Sequence, residues 1–165
     1  MNKTKKMIIL NVYFLISSIA VLMLDQVTKY LVITRVPLGT SKELLHNFLY
    51  IVNIKNTGAA FGMFQGHTGI LTIISFVAII LIIVLKIILD LDNGFYNVVL
   101  GFILGGAMGN LVDRFFVGEV TDFISFTFFA PVFNVADSFL VIGFSLIIIL
   151  ILREYFKKDK SGGVE

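Results

Sequence analysis

Of the 165 residues, 58% are hydrophobic and only 15% charged, whereas soluble domains carry about 25% charged and about 45–50% apolar residues. A chain this small exposes much of its surface, so this composition excludes an ordinary water-soluble globule and points to a bilayer as solvent. The net charge of +2 comes without a lysine patch interleaved with aromatics, which argues against nucleic acid as a partner, and the lack of cysteine excludes disulfides, thiolate metal sites and a cysteine nucleophile.

The chain begins Met1-Asn-Lys-Thr-Lys-Lys and enters an apolar run. That pattern resembles a secretory leader, but the remainder is equally apolar, so it reads as a retained first span. A span needs about 20 mostly apolar residues. Met7–Leu24, Thr68–Leu85 and Asn93–Val112 are free of charge, and Phe123–Leu152 is a longer fourth stretch. Pro131 divides that stretch, since proline sits badly inside a helix. The last helix is therefore expected from Val135, with Phe123–Phe133 as a loop or re-entrant segment. The expectation is a mainly α, integral membrane protein of one domain, residues 1–165, with four transmembrane helices near 7–28, 68–89, 95–114 and 135–153. Phe48-Leu-Tyr-Ile-Val-Asn-Ile-Lys-Asn is rich in β-branched and aromatic residues and ends at the turn signal Thr57-Gly58. It predicts a small extracytoplasmic β-sheet over about 43–62, approached through Leu38–Asn47. Residues 157–165 are expected to form a flexible tail.

Orientation follows the basic residues beside the spans. Lys3, Lys5 and Lys6 precede the first helix, and Arg153, Lys157, Lys158 and Lys160 follow the last. Four spans return both ends to one side, so both termini are expected in the cytoplasm. Asp25–His67 and Asp113–Asp137 then share the outer face.

Ionisable groups near hydrocarbon are costly and invite functional readings. Asp25 and Lys29, four apart, share a helix face. An ion pair anchoring the outer end of the first helix is the simpler account of them. In the third helix, Gly101, Gly105 and Gly109 recur every four residues, with Gly106, Asn110 and Arg114 in the adjacent row. Small residues in such a row let another helix approach. Packing explains the first glycines but not Asn110, Asp113 and Arg114, which put three polar groups within about one turn. Asp122 follows this helix and Asp137 opens the next, separated by 14 uncharged residues rich in aromatics. Two carboxylates in such surroundings would share a proton, leaving one as general base and the other as acid. Spacing alone fits two helix caps equally well. No HExxH or GxSxG occurs, His46 and His67 stand alone, and the Gly105-Gly106 segment lacks a Walker lysine. If the chain is a hydrolase, carboxylates are the remaining catalytic groups.

Five blocks then resemble lipoprotein signal peptidases, the signal peptidase II family. They are Asp25-Gln-Val-Thr-Lys29, Asn56-Thr-Gly-Ala-Ala-Phe-Gly62, Gly105-Gly-Ala-Met-Gly-Asn-Leu-Val-Asp-Arg114, Val120-Thr-Asp-Phe123 and Phe133-Asn-Val-Ala-Asp137. The resemblance implies an aspartic endopeptidase of the bacterial cytoplasmic membrane. It would cut diacylglyceryl-modified prolipoproteins immediately before the lipidated cysteine, without metal or other cofactor, as a monomer among membrane lipids. It matches Asp122 and Asp137 to the catalytic dyad. Asn56, Gly58, Asn110, Asp113, Arg114, Asn134 and Ala136 match residues that support the dyad or hold substrate, while Asp25 and Lys29 retain a structural reading. It also implies a β-cradle before Asn56 and a short outer-surface helix starting near Phe61–Gly66. Thr121 departs from the pattern, which usually has valine there, and the stretch between the aspartates is short. Outside this resemblance, a proton-coupled transporter or a non-catalytic scaffold would also use intramembrane acids or a glycine face, though a transporter would favour midplane acids and inverted repeats.

Overall fold

The structure, a computed structural model, describes residues 2–59, 63–88 and 93–161. Four long helices, α1 (Lys3–Arg35), α2 (Thr68–Ile88), α3 (Gly94–Phe116) and α4 (Val135–Ser161), carry a sheet of β1 (Ser41–Leu45), β2 (Leu49–Asn56), β3 (Val120–Phe126) and β4 (Phe129–Phe133). All four helices are long and apolar enough to cross a membrane. Ile73, Phe76, Ile87 and Val141 point outward from them, as expected where lipid replaces water around the bundle.

Helix α3 is the hub. In its most apolar stretch 61% of residues are buried, against 22% in α1 and 11% in each of α2 and α4. Its glycines explain this. A Cβ on Gly105 would lie 2.5 Å from the Ser18 carbonyl oxygen of α1, and one on Gly106 would lie 2.6 Å from the Ala136 carbonyl oxygen of α4. Two neighbouring glycine rows thus bring two different helices against one. Phe14, Leu100 and Leu104 form a core on which Ile79, Ile82 and Ile147 pack, so all four helices meet there.

Three expectations change. Helix α1 runs ten residues past Asp25, to Arg35, so Asp25 and Lys29 lie inside it rather than at its end. At about 1.5 Å per residue its 33 residues span about 50 Å, more than the hydrocarbon layer requires. Second, Phe123–Phe133 is no loop or re-entrant segment but most of the β3–β4 hairpin. The sheet is antiparallel in the order β1-β2-β3-β4, with Ile54 opposite Asp122 and Lys55 opposite Thr121. Strand β2 supplies the partner that satisfies β3, and Pro131, which lacks an N–H, falls on the edge strand β4. Third, Lys157–Ser161, expected as tail, continues α4. The outer-surface helix expected near Phe61–Gly66 falls partly on 60–62, outside the described residues; Met63–Gly66 form turns.

The sheet is fastened to the bundle at the end where α1 and α3 finish and α4 begins. Val32 and Val36 of α1 pack with Phe123 of β3. The Asn53 amide of β2 donates to the Val36 carbonyl at 2.7 Å, closing the last turn of α1. After α3, Gly118 adopts φ +84° while its N–H reaches the Asp113 carbonyl at 3.1 Å. This left-handed residue, the usual device at a helix C-terminus, reverses the chain and starts β3 beside the end of α3.

Candidate active site

That reversal carries Asp122 back over the last turns of α3, where α4 opens with Asn134 and Asp137. Asn134 is the N-cap: its Oδ1 accepts the Asp137 N–H at 2.8 Å, and Asp137 Oδ2 accepts the Asn134 N–H at 3.3 Å. This reciprocal pair is a capping box, so the capping alternative holds in part for Asp137. It fails for Asp122, which lies within a strand.

Each carboxylate oxygen of the two aspartates accepts one hydrogen bond from a fixed donor. Asp122 Oδ1 takes the Asn134 side-chain amide at 2.7 Å and Oδ2 takes the Asn56 amide at 2.8 Å. Asp137 Oδ1 takes the Asn110 amide at 2.7 Å, and its Oδ2 takes the Asn134 N–H. Both aspartates line one cavity of about 240 Å³. Apolar groups of Val120, Pro131, Val132, Phe133, Leu140 and Val141 wall it, with Asn56, Ala59 and Arg114 completing the lining. Asp122 is only 2% exposed. Burial, and then the Asp137 carboxylate, push its carboxyl up to about 6, against the opposing pull of Asn56, Asn134 and Lys29. A carboxyl poised there exchanges protons near neutral pH, which suits acid–base work.

Behind the pair lies a second charged layer. Lys29 is 3% exposed, and its ammonium reaches Asp25 Oδ2 at 2.7 Å, Asp113 Oδ2 at 2.9 Å and Asn110 Oδ1 at 3.3 Å. Asp25 Oδ1 also accepts the Ala136 N–H at 2.8 Å, tying α1 to the first turn of α4. Arg114 donates to the Gly58 carbonyl at 3.2 Å, while its buried Nε has no partner among the described residues. The eleven residues singled out from the sequence thus lie in one connected cluster at one end of the bundle.

The chain as a whole matches a known group of proteins. The profile of the family described as signal peptidase (SPase) II covers residues 17–153. The chain belongs to the signal peptidase II family. A lipoprotein signal peptidase of Caldanaerobacter subterraneus subsp. tengcongensis is 48% identical over 124 residues, covering 74% of this chain and 84% of that one. One from Staphylococcus haemolyticus is 40% identical over 148 residues, covering 88% and 94%. A solved structure described as a bacterial membrane enzyme superposes with a TM-score of 0.83 at 37% identity, covering 88% of this chain and 90% of that one.

Within this signal peptidase II chain, some site residues were not singled out from the sequence. The Gln26 amide donates to Asp113 Oδ1 at 3.0 Å and to the Gly109 carbonyl at 3.2 Å, locking α1 to α3. Its position next to Asp25 in the first block was the available signal. Leu140 and Val141 follow Asp137 by three and four residues, so helical spacing could have put them on its face. Thr121, the departure from the family pattern, has its own partners. Its hydroxyl accepts from Lys55 Nζ at 3.1 Å and its N–H donates to Asp113 Oδ2 at 3.3 Å.

Proposed function

We propose that this chain removes the signal peptide from diacylglyceryl-modified prolipoproteins, cutting immediately before the lipidated cysteine, with Asp122 and Asp137 activating a water. The observation that carries this reading is the pair itself: two carboxyls on one apolar-walled cavity, joined through Asn134. Family membership gives the peptidase class, and the named relatives give the lipoprotein substrate.

The chemistry follows from one shared proton. The ionised aspartate takes a proton from water as the water oxygen bonds to the scissile carbonyl carbon. The protonated aspartate gives its proton to the carbonyl oxygen, forming a neutral tetrahedral diol. The now ionised aspartate takes a proton back from one diol hydroxyl while the aspartate protonated by water gives that proton to the departing nitrogen, which breaks the C–N bond and regenerates the starting pair. No covalent intermediate is needed. Asn56, Asn110 and Asn134 aim the four carboxylate oxygens. Arg114, which lines the same cavity as the two aspartates, holds the substrate backbone. Asn56 uses its amide nitrogen on Asp122 and its oxygen on the Gly58 N–H, so its main part is to fix Asp122 and the loop rather than to grip substrate.

A lipid-anchored substrate moves in the bilayer plane. Acyl chains packed against α2 and α4 would orient the scissile bond at the cavity. In this reading both termini are cytoplasmic, the cavity opens near the outer face, and the chain works as a monomer in lipid. The test is cleavage of a purified lipidated precursor by Asp122→Asn and Asp137→Asn. Each is expected to lose at least about 10³-fold in kcat, within the range for a removed general acid or base. Cleavage surviving both substitutions would sink the dyad.

A further inference from the structure

Lys29 makes one more bond than an ion pair needs. An ammonium has three hydrogens, and two of them serve Asp25 and Asp113. The third goes to an uncharged group, the Asn110 carbonyl oxygen, at 3.3 Å. We infer that Lys29 is a positioning residue for the cleavage reaction, acting through the orientation of the Asn110 amide. The inference rests on Asp122 and Asp137 being the reacting pair.

An amide side chain can be turned over with little change of shape, and its neighbours decide which end faces where. Asn110 Oδ1 faces two donors, Lys29 Nζ and the Asn134 amide at 3.1 Å. Its NH₂ therefore points the other way, at Asp137 Oδ1, 2.7 Å distant. Turned over, it would set NH₂ against an ammonium and another NH₂, and its carbonyl oxygen against a carboxylate. The same ordering extends one residue further. Asn134 shares its NH₂ between Asn110 Oδ1 and Asp122 Oδ1, and its own oxygen takes the Asp137 N–H. One buried cation thus sets the sense of two amides, and the two amides aim both aspartates. Asp25 and Asp113 hold the cation in place for this.

Removing Lys29 alone would strand two buried carboxylates, so the test uses charge-balanced variants. Lys29→Met/Asp113→Asn removes one cation and one anion and is compared with Asp113→Asn. For a purified diacylglyceryl-modified precursor, kcat of the double variant is expected at least about tenfold below Asp113→Asn, with KM within about threefold, the pattern of a lost transition-state contribution. In an Asn110→Ser background the further loss on removing Lys29 is expected to vanish, because the two residues act in series. Equal kcat in the first comparison, or a loss confined to KM, would overturn the inference, as would an undiminished effect in the Asn110→Ser background. Asp25→Asn/Lys29→Met, measured against Asp25→Asn, carries the same outcomes if the first pair does not fold. Asp122→Asn and Asp137→Asn run alongside. If they are inactive while Lys29 proves dispensable, this inference fails and the dyad stands; if they cleave, the dyad fails first.

Discussion

Asp122 lines the cavity between the amides of Asn56 and Asn134 and keeps its proton up to about pH 6. The proposed reaction needs one proton on the pair. As pH rises through about 6 that proton is lost, so kcat/KM is expected to fall on its high-pH side, with an apparent value belonging to the pair rather than to one residue. A profile of kcat/KM without such a limb would detach Asp122 from the chemistry. The stability sign follows from the same shift. The folded value lies above the ordinary 3.8, so between there and about 6 the folded state holds a proton that the unfolded state has released. The contribution of Asp122 is therefore most favourable below this window and is lost as pH rises through it. For Arg114, loss of hydrogen bonds from a charged donor, each about 1.5–3 kcal/mol, implies that Arg114→Ala raises KM by about ten- to a hundredfold. Binding of a lipidated precursor unchanged by that substitution would remove its role. The individual polar residues were legible in the sequence because each is costly near lipid. Their pairing was readable only as one of two readings beside helix caps, and as what the family resemblance implies. Asn134-Val-Ala-Asp137 reads locally as a cap and is one, and only β3, folded back over α3, brings Asp122 to it.

At the scale of elements, the glycine row of α3 was readable because its four-residue period is a property of one helix. Which helix it meets was not, and the structure divides the answer: Gly101, Gly105 and Gly109 face α1, while Gly106 faces α4. Gly109 is the critical one. A Cβ there would lie 2.5 Å from Asp25 Oδ2 and 3.1 Å from the Ala136 Cβ, so α1, α3 and α4 meet over one missing methyl. Gly109→Ala is expected to cost about 1–3 kcal/mol through overpacking, seen as a lower thermal midpoint in detergent, and to weaken cleavage by moving Asp25 off the Ala136 N–H. Gly69→Ala, with nothing within 4 Å of its added carbon, is the matched control and should leave the midpoint unchanged. The β3–β4 hairpin was misread for the complementary reason. Its apolar residues satisfy a span's composition as well as a strand's, and the deciding partner, β2, lies across two helices in the chain. The end of α1 was misread because charge was taken as a boundary. Lys29 and Asp25 stay inside the helix because each neutralises the other and Asp113 completes the set.

For the whole molecule, the number of spans followed from composition, since each apolar run long enough to cross the bilayer satisfies its own backbone there as a helix. Direction across the bilayer depends on the flanking lysines and on the site. Lys3, Lys5 and Lys6 flank one end of the bundle, and α4 runs back to that same end toward Arg153 and Lys157. The sheet, the cavity and the charged layer occupy the opposite end. A basic end held in the cytoplasm would therefore turn the cavity outward, where an exported, lipid-anchored precursor arrives. The chain has no cysteine, so single thiols report this without background. Lys42 on β1 and Thr4 in the first turn of α1 are both exposed, one at each end. Lys42→Cys is expected to react with a membrane-impermeant maleimide added to intact spheroplasts, and Thr4→Cys only after the membrane is opened. The reverse pattern would turn the carboxyl pair toward the cytoplasm, away from an exported substrate, and the peptidase reading would then fail even with its site geometry intact.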